Sequence, residues 1–214
     1  MLNSLKLCQA LNEKICHDFA GSIGAIDNAI GLIKTIEYQE KATKLVQDST
    51  NRLMRYLQFH RYVYSLPSEG NKIAIAEINR LSTDFLKSKN HNIELVFTRL
   101  ISTNIDDNIA QIIMCLIVTA SSNIYRDAVI KVELEIQNDN FTGIKIVVTA
   151  PNLRFDQDRA DILLGNRTID DVSIENVHEY YTYYLITEYG YKLAITPSTD
   201  SVEYIYSNDL KNWI

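Results

Sequence analysis

Before Pro67 the chain has no proline, so no position in that stretch is denied its helical hydrogen bond by sequence. Over the same stretch apolar residues recur at spacings of three and four. Leu11, Ile15, Phe19, Ile23, Ile26, Ile30 and Ile33 form one seam. After a break at Ile36 to Gln39, a second seam runs through Ala42, Leu45, Ser49, Leu53, Tyr56, His60 and Val63 and stops at Leu66 and Pro67. This periodicity predicts a helical hairpin over residues 1–67. A lone hairpin has two apolar flanks and covers only one, so pairing with a second copy into a dimeric four-helix bundle is expected.

The stretch from Ser65 to Asn71 concentrates turn formers and is the predicted linker to a second domain, residues 68–214. There the period changes. Strands are expected at 72–76, 92–98, 128–137 and 142–149, the last two joined through Asn138, Asp139 and Asn140. Helices are expected at 77–89, 106–123 and 174–189, followed by strands at 191–196 and 201–207. The whole reads as α+β, with helices on one face of a mixed sheet.

Composition narrows the function classes. With 46% hydrophobic and 22% charged residues, 7 Gly and 3 Pro in 214 residues, the chain can bury a core and is not a disordered or fibrous protein. A net charge of -6 argues against a phosphate-backbone partner such as nucleic acid. The longest apolar run, Ile112 to Val118, is too short for a membrane span, and no secretory leader is visible, so the cytoplasm is the expected location. Cys8, Cys16 and Cys115 are an odd set and are expected as reduced thiols, with Cys8 and Cys115 in the core.

His17 stands two residues from both Ile15 and Phe19, about 200° around a helix, so its imidazole points away from the seam. Its helical neighbours Ala20, Gly21 and Gly24 leave the adjoining surface nearly free of side chains. Each helical glycine costs about 1 kcal/mol against alanine. Three of the seven, Gly21, Gly24 and Gly31, fall in this helix. A flat strip for docking another backbone, with Asn28 extending it, accounts for that cost; close packing against a neighbouring helix, or glycines that are simply tolerated there, is the other reading. A neutral imidazole nitrogen is nucleophilic near pH 7 and can carry a phosphoryl group. Lys14 is placed to screen the phosphoryl charge, and either Asp18 or Glu13 to hold the other ring nitrogen.

The run from Cys16 to Asn28, Cys-His-Asp-Phe-Ala-Gly-Ser-Ile-Gly-Ala-Ile-Asp-Asn, resembles the phosphoacceptor helix of the ChpT-type bacterial histidine phosphotransferases. Val177 to Tyr191 is similar to the last helix and turn of that family, while the middle agrees mainly in architecture. Ser22 stands where such relatives commonly carry proline. The resemblance implies a dimer related to histidine kinases, with a degenerate kinase ATPase-like α/β sandwich as its second domain. It also implies that His17 accepts a phosphoryl group from the receiver domain of a hybrid kinase and passes it to response regulators, in relatives of a cell-cycle type. Magnesium would then sit on the receiver, and the chain would need no cofactor of its own.

A working kinase would add an ATP site. Aligned with the kinase helix that supplies a magnesium-binding asparagine, this chain has Cys115 and Thr119 at the two asparagine positions. Where an Asp-x-Gly-x-Gly turn is expected, it reads Ala150 to Phe155 without a glycine. An ATP-dependent kinase with an unusual site and a non-catalytic dimeric adaptor are the competing readings. Cys16, His17 and Asp18 are adjacent and splayed about 100° apart, which disfavours a metal site. His91 is expected in a solvated loop, His178 on a helix surface, and Tyr180, Tyr181, Tyr183 and Tyr184 in core packing or a partner surface.

Overall fold

The computed structural model describes residues 2–67, 70–89, 92–98, 104–124, 127–137 and 140–212. Helix α1 (Leu2–Ile33) and helix α2 (Gln39–Val63) form an antiparallel hairpin. Its turn is closed by the Thr35 and Tyr38 amides, which donate to Leu32 O and Thr35 O at 3.0 and 2.9 Å. On α2 the residues Ala42, Ser49, Tyr56 and Val63 are buried, one every seven positions, and Ser22 and Ala29 do the same on α1. A seven-residue repeat keeps one face of each helix against the other.

The expected seam on α1 is only partly inside the hairpin. Ile23 and Ile30 are 54% and 53% exposed, and Leu45 on α2 is also exposed. Ser22, absent from the predicted seam, is buried instead, and the helix runs through it without a break. Small side chains let the two helices approach closely, so Ser22 and Ala29 take the inner side and the bulky isoleucines beside them turn outward.

The second half begins with β1 (Lys72–Ala74), α3 (Ile75–Ser88), β2 (Ile93–Phe97), β3 (Asn104–Asp106) and α4 (Asp107–Ser121). It continues with β4 (Ala128–Gln137), β5 (Asn140–Thr149), α5 (Gln157–Leu163), α6 (Val177–Glu188), β6 (Lys192–Pro197) and β7 (Ser201–Ser207). The main sheet has the order β2-β4-β5-β7-β6, with β2 and β4 parallel and the other pairs antiparallel; β1 and β3 pair separately. Along β4, Ile130, Val132 and Leu134 are buried while Lys131 is exposed, and on β5 Ile144, Ile146 and Val148 are buried. That period of two turns one face of the sheet toward the helices. Helix α4 is buried at every position from Ile109 to Ser121, which explains why its sequence is apolar all round. Short elements escaped the sequence reading: β3, α5 and the 3-10 turn Ile169–Asp171 are too brief to set up a period. The Asn138-Asp139 turn and His91 lie outside the described residues.

The two halves share one core. Phe59 of α2 stacks on Phe85 of α3 with ring centroids 4.0 Å apart, and Tyr56 meets Phe85 edge-on at 5.4 Å. Near the start of α1, Leu7 packs with Ile169 and Val177, beside a Lys6 to Asp170 ion pair. The end of α2 is held by hydrogen bonds from the second domain. Gln111 Nε2 donates to Tyr62 O and Ser65 O at 3.1 and 2.6 Å, and Tyr181 Oη donates to Val63 O at 2.9 Å. These carbonyls belong to the last turn of α2 and the residues just after it, where helical partners run out. Replacing Gln111 with Leu therefore lowers stability by about 1–2 kcal/mol, the cost of losing two part-buried hydrogen bonds. Urea unfolding of Gln111→Leu against the wild type measures this.

Candidate functional site

His17 projects from the middle of α1 with its side chain 68% exposed. Glu13, Ala20, Gly21, Gly24 and Asn28 are exposed on the same helix. A Cβ built on Gly21, Gly24 or Gly31 would meet nothing within 4 Å. Close packing against a helix of this chain is therefore not the reason for these glycines, and the strip beside His17 is open surface.

Of the three residues named as supports, Asp18 comes nearest to the imidazole. Its Oδ1 lies 3.8 Å from His17 Nδ1, beyond hydrogen-bond length, and is held instead by Lys14 Nζ at 2.5 Å. Its Oδ2 faces His60 Nε2 at 3.7 Å. Lys14 is thus engaged by Asp18 rather than by His17, and Glu13 makes no ion pair among the described residues. A small rotation of Asp18 brings its Oδ1 to His17 Nδ1.

Behind Asp18 a cleft of about 310 Å³ opens between the hairpin and the second domain, lined among others by Lys14, Asp18, His60, Lys89, Arg159 and His178. His178 is buried, contrary to its expected place on a helix surface. Helix α4 packs on that side of α6, and Tyr64, just past the end of α2, closes over the ring. Its Nε2 lies 3.1 Å from Cys115 O and its Nδ1 3.0 Å from Tyr64 Oη. A carbonyl only accepts, so Nε2 carries the proton and Nδ1 accepts from the tyrosine. Burial pushes the His178 pKa down from 6.5 to about 3. His60 is lowered to about 4, chiefly by burial, with Asp18 pulling the other way and Lys14 and Lys89 reinforcing the drop. Glu179, 2% exposed, has its carboxyl pKa raised by burial and accepts from Arg159 Nη1 at 2.7 Å. Cys115 is buried as expected, but Cys8 is exposed, because it falls on the outer side of α1 just past Leu7.

The region around Thr119 is closed. Thr119, Asn123, Phe155 and Tyr204 line a space of only about 10 Å³, at or below what one water needs. Asn123 fills it by donating from Nδ2 to Tyr204 Oη at 2.5 Å and accepting at Oδ1 from the Asp156 amide at 3.2 Å. Helix α5, which the sequence reading missed, covers this side with Ala160 and Leu163.

The overall fold is that of a solved bacterial phosphotransferase. The two structures superpose with a TM-score of 0.82 at 22% identity, covering 97% of this chain and 98% of the other. Residues 75–201, more than half of the chain, match the family model for the histidine phosphotransferase C-terminal domain, and the chain belongs to that family. It is also similar to the protein phosphotransferase ChpT of Brucella abortus (strain 2308), 23% identical over 202 residues that cover 94% of this chain and 95% of that protein. The histidine kinase AdeS of Acinetobacter baumannii gives a TM-score of 0.49 at 12% identity, over 89% of this chain and 95% of that one.

The buried histidines set a pH dependence of stability. Unfolded, each ring takes a proton near 6.5; folded, only near 4 or 3. Between those values the unfolded chain binds more protons, so stability is complete above about pH 6.5 and falls as pH drops toward 4. The expected slope is on the order of 1 kcal/mol per pH unit for each histidine. Urea unfolding at pH 7, 6 and 5 is expected to show this slope, reduced stepwise in His60→Gln and His178→Gln.

Proposed function

We propose that this chain is a homodimeric histidine phosphotransferase of a phosphorelay. In this reading His17 accepts a phosphoryl group from the phosphoaspartate of a hybrid-kinase receiver domain and hands it to the receiver domains of response regulators. The observation that carries the proposal is an exposed imidazole standing beside a strip of helix that no side chain among the described residues covers. The docked receiver would lie along Ala20, Gly21, Gly24 and Asn28. Family membership and the similarity to a named protein phosphotransferase agree with it.

His17 Nδ1 faces Asp18, which leaves Nε2 directed outward as the attacking nitrogen. Nε2 forms the bond to phosphorus in line with the departing aspartyl oxygen, which keeps the electron pair of the broken P–O bond. Asp18, after a small rotation, holds the Nδ1 proton and balances the positive charge that develops on the ring. Lys14 is released toward the phosphoryl oxygens as that rotation occurs. Magnesium belongs to the receiver. Return of the phosphoryl group to an aspartate of a second receiver is the same step reversed.

Two further features of the reading have structural support. Ile23, Ile30, Leu45, Met54 and Leu57 form outward apolar positions on the hairpin that a second copy would cover. The closed space at Thr119 and the lack of glycine from Ala150 to Phe155 favour a second domain that serves as a docking surface rather than an ATP site. No helix among the described residues is long and apolar enough to cross a membrane, in keeping with work in the cytoplasm alongside receiver domains.

Label transfer tests the reaction. Incubation with a radiolabelled phospho-receiver is expected to place acid-labile, base-stable label on the wild type and none on His17→Gln, which keeps its fold and dimer. Label from ATP alone would make the protein a kinase, and no label from any receiver would make it an adaptor. Asp18→Asn is expected to slow transfer by about 10²-fold, the scale of one general acid-base contribution. For the dimer, an Ile23→Glu, Ile30→Glu double variant is expected to sediment as a monomer.

A further inference from the structure

We infer that His60 is a positioning residue for the proposed transfer: its ring N–H takes hold of Asp18 when Lys14 lets go, and so keeps the carboxylate aimed at His17. This inference rests on the phosphoacceptor reading of His17. His60 is 6% exposed and has no hydrogen-bond partner at either ring nitrogen among the described residues. A buried polar group without a partner costs stability, and a phenylalanine would fill such a place without that cost. A histidine kept there points to a use.

Aromatic neighbours fix the ring. Tyr64 stacks on it with centroids 5.2 Å apart and planes 15° apart, while Phe19, Phe59 and Phe85 meet it edge-on at 5.7, 6.2 and 5.9 Å. Tyr56 lies tilted at 6.0 Å. Held in this box, the imidazole keeps its Nε2 side toward Asp18, whose Oδ2 is 3.7 Å away. Burial lowers the ring's pKa to about 4, so at pH 7 it is neutral and carries one proton. A carboxylate only accepts, so the proton sits on Nε2 and Nδ1 is left bare.

Asp18 thus lies between two imidazoles at nearly equal gaps, Oδ1 3.8 Å from His17 Nδ1 and Oδ2 3.7 Å from His60 Nε2. Each gap is about 1 Å longer than an ordinary hydrogen bond. Lys14, His17 and His60 are the only basic side chains within 4 Å of the Asp18 oxygens among the described residues, and at rest Lys14 holds Oδ1. When Lys14 turns to the phosphoryl oxygens, a carboxylate whose side chain is 14% exposed loses its counter-ion, and burial then favours its taking up a proton. A protonated Asp18 no longer balances the charge growing on His17. A donor at Oδ2 opposes that protonation, because a hydrogen bond to the charged form stabilises it. His60 Nε2 is the donor in place. The carboxylate then bridges the two rings, one oxygen on each, and no proton leaves His60.

The test follows single-turnover label transfer from the radiolabelled phospho-receiver to the full chain over a range of receiver concentrations. His60→Phe is expected to slow the maximal transfer rate by about 10-fold, the scale of a misplaced reacting group. The receiver concentration that gives half of that rate is expected to stay the same. His60→Gln, which keeps an N–H at that side, is expected to recover most of the rate. The double variant His60→Phe, Asp18→Asn is expected to be no slower than Asp18→Asn alone, since His60 acts only through the carboxylate. An unimpaired His60→Phe, an equal loss in His60→Phe and His60→Gln, or a double variant slowed by the product of the two single effects overturns the inference. A second readout needs neither a variant at position 60 nor a receiver. The ring nitrogen resonances of the wild type are expected to place the His60 proton on Nε2, and Asp18→Asn to shift that signal; a proton on Nδ1 overturns the inference, and should His60→Phe not fold, this readout decides. A wild type that takes no label from any receiver overturns the phosphoacceptor reading and this inference with it, whereas a labelled wild type beside an unimpaired His60→Phe overturns this inference alone.

Discussion

The end of α2 is where the two halves of this molecule become one. A helix that stops leaves its last carbonyls without amide partners, and here Gln111 from α4 and Tyr181 from α6 supply them for Tyr62, Val63 and Ser65. Releasing the hairpin would strip three carbonyls, the buried Gln111 side chain and the partly buried Tyr181 hydroxyl of their partners at once. Stacking of Phe59 on Phe85 adds apolar burial to the same junction. The hairpin is therefore a fixed platform relative to the sheet domain, not a bundle on a tether.

That junction determines what surrounds the candidate phosphoacceptor. With α2 anchored, α1 lies so that one side of its middle turns meets the cleft through Lys14 and Asp18, while His17 and the glycine strip face outward. The same packing buries His60 and His178 and keeps both rings neutral at physiological pH. Three histidines thus have three states: one open and free to react, one buried and fully hydrogen-bonded, and one buried with no hydrogen-bond partner among the described residues. The difference comes from the number of helices around each ring and not from the imidazole itself.

Asp18 links the open histidine to the interior. It is mostly buried, paired with Lys14, and within 4 Å of a nitrogen of both His17 and His60. A carboxylate shared among a lysine and two imidazoles is poised to change partners when charge appears on either side, since each neighbour competes for the same two oxygens. In the proposed transfer that change is what holds the His17 ring while Lys14 turns to the phosphoryl group.

By itself the sequence determined the elements whose signal is periodic and long: the hairpin from its three-and-four spacing, α4 from its unbroken apolar run, β4 and β5 from their alternation. It also placed His17 outward and the glycines beside it, because direction around a single helix follows from counting residues. Only the tertiary structure decided which side of the α1 seam is covered, since that depends on the size of the residues facing each other across two helices and not on either helix alone. The fates of His178 and Cys8 were decided in the same way, by what lies opposite them. The cleft was beyond reach of the sequence for a related reason: Lys14, His60, Lys89, Arg159 and His178 come from five separate segments, and no local pattern records that they meet. Long-range convergence is fixed by packing, and packing is a property of pairs of surfaces that a single strand of residues does not contain.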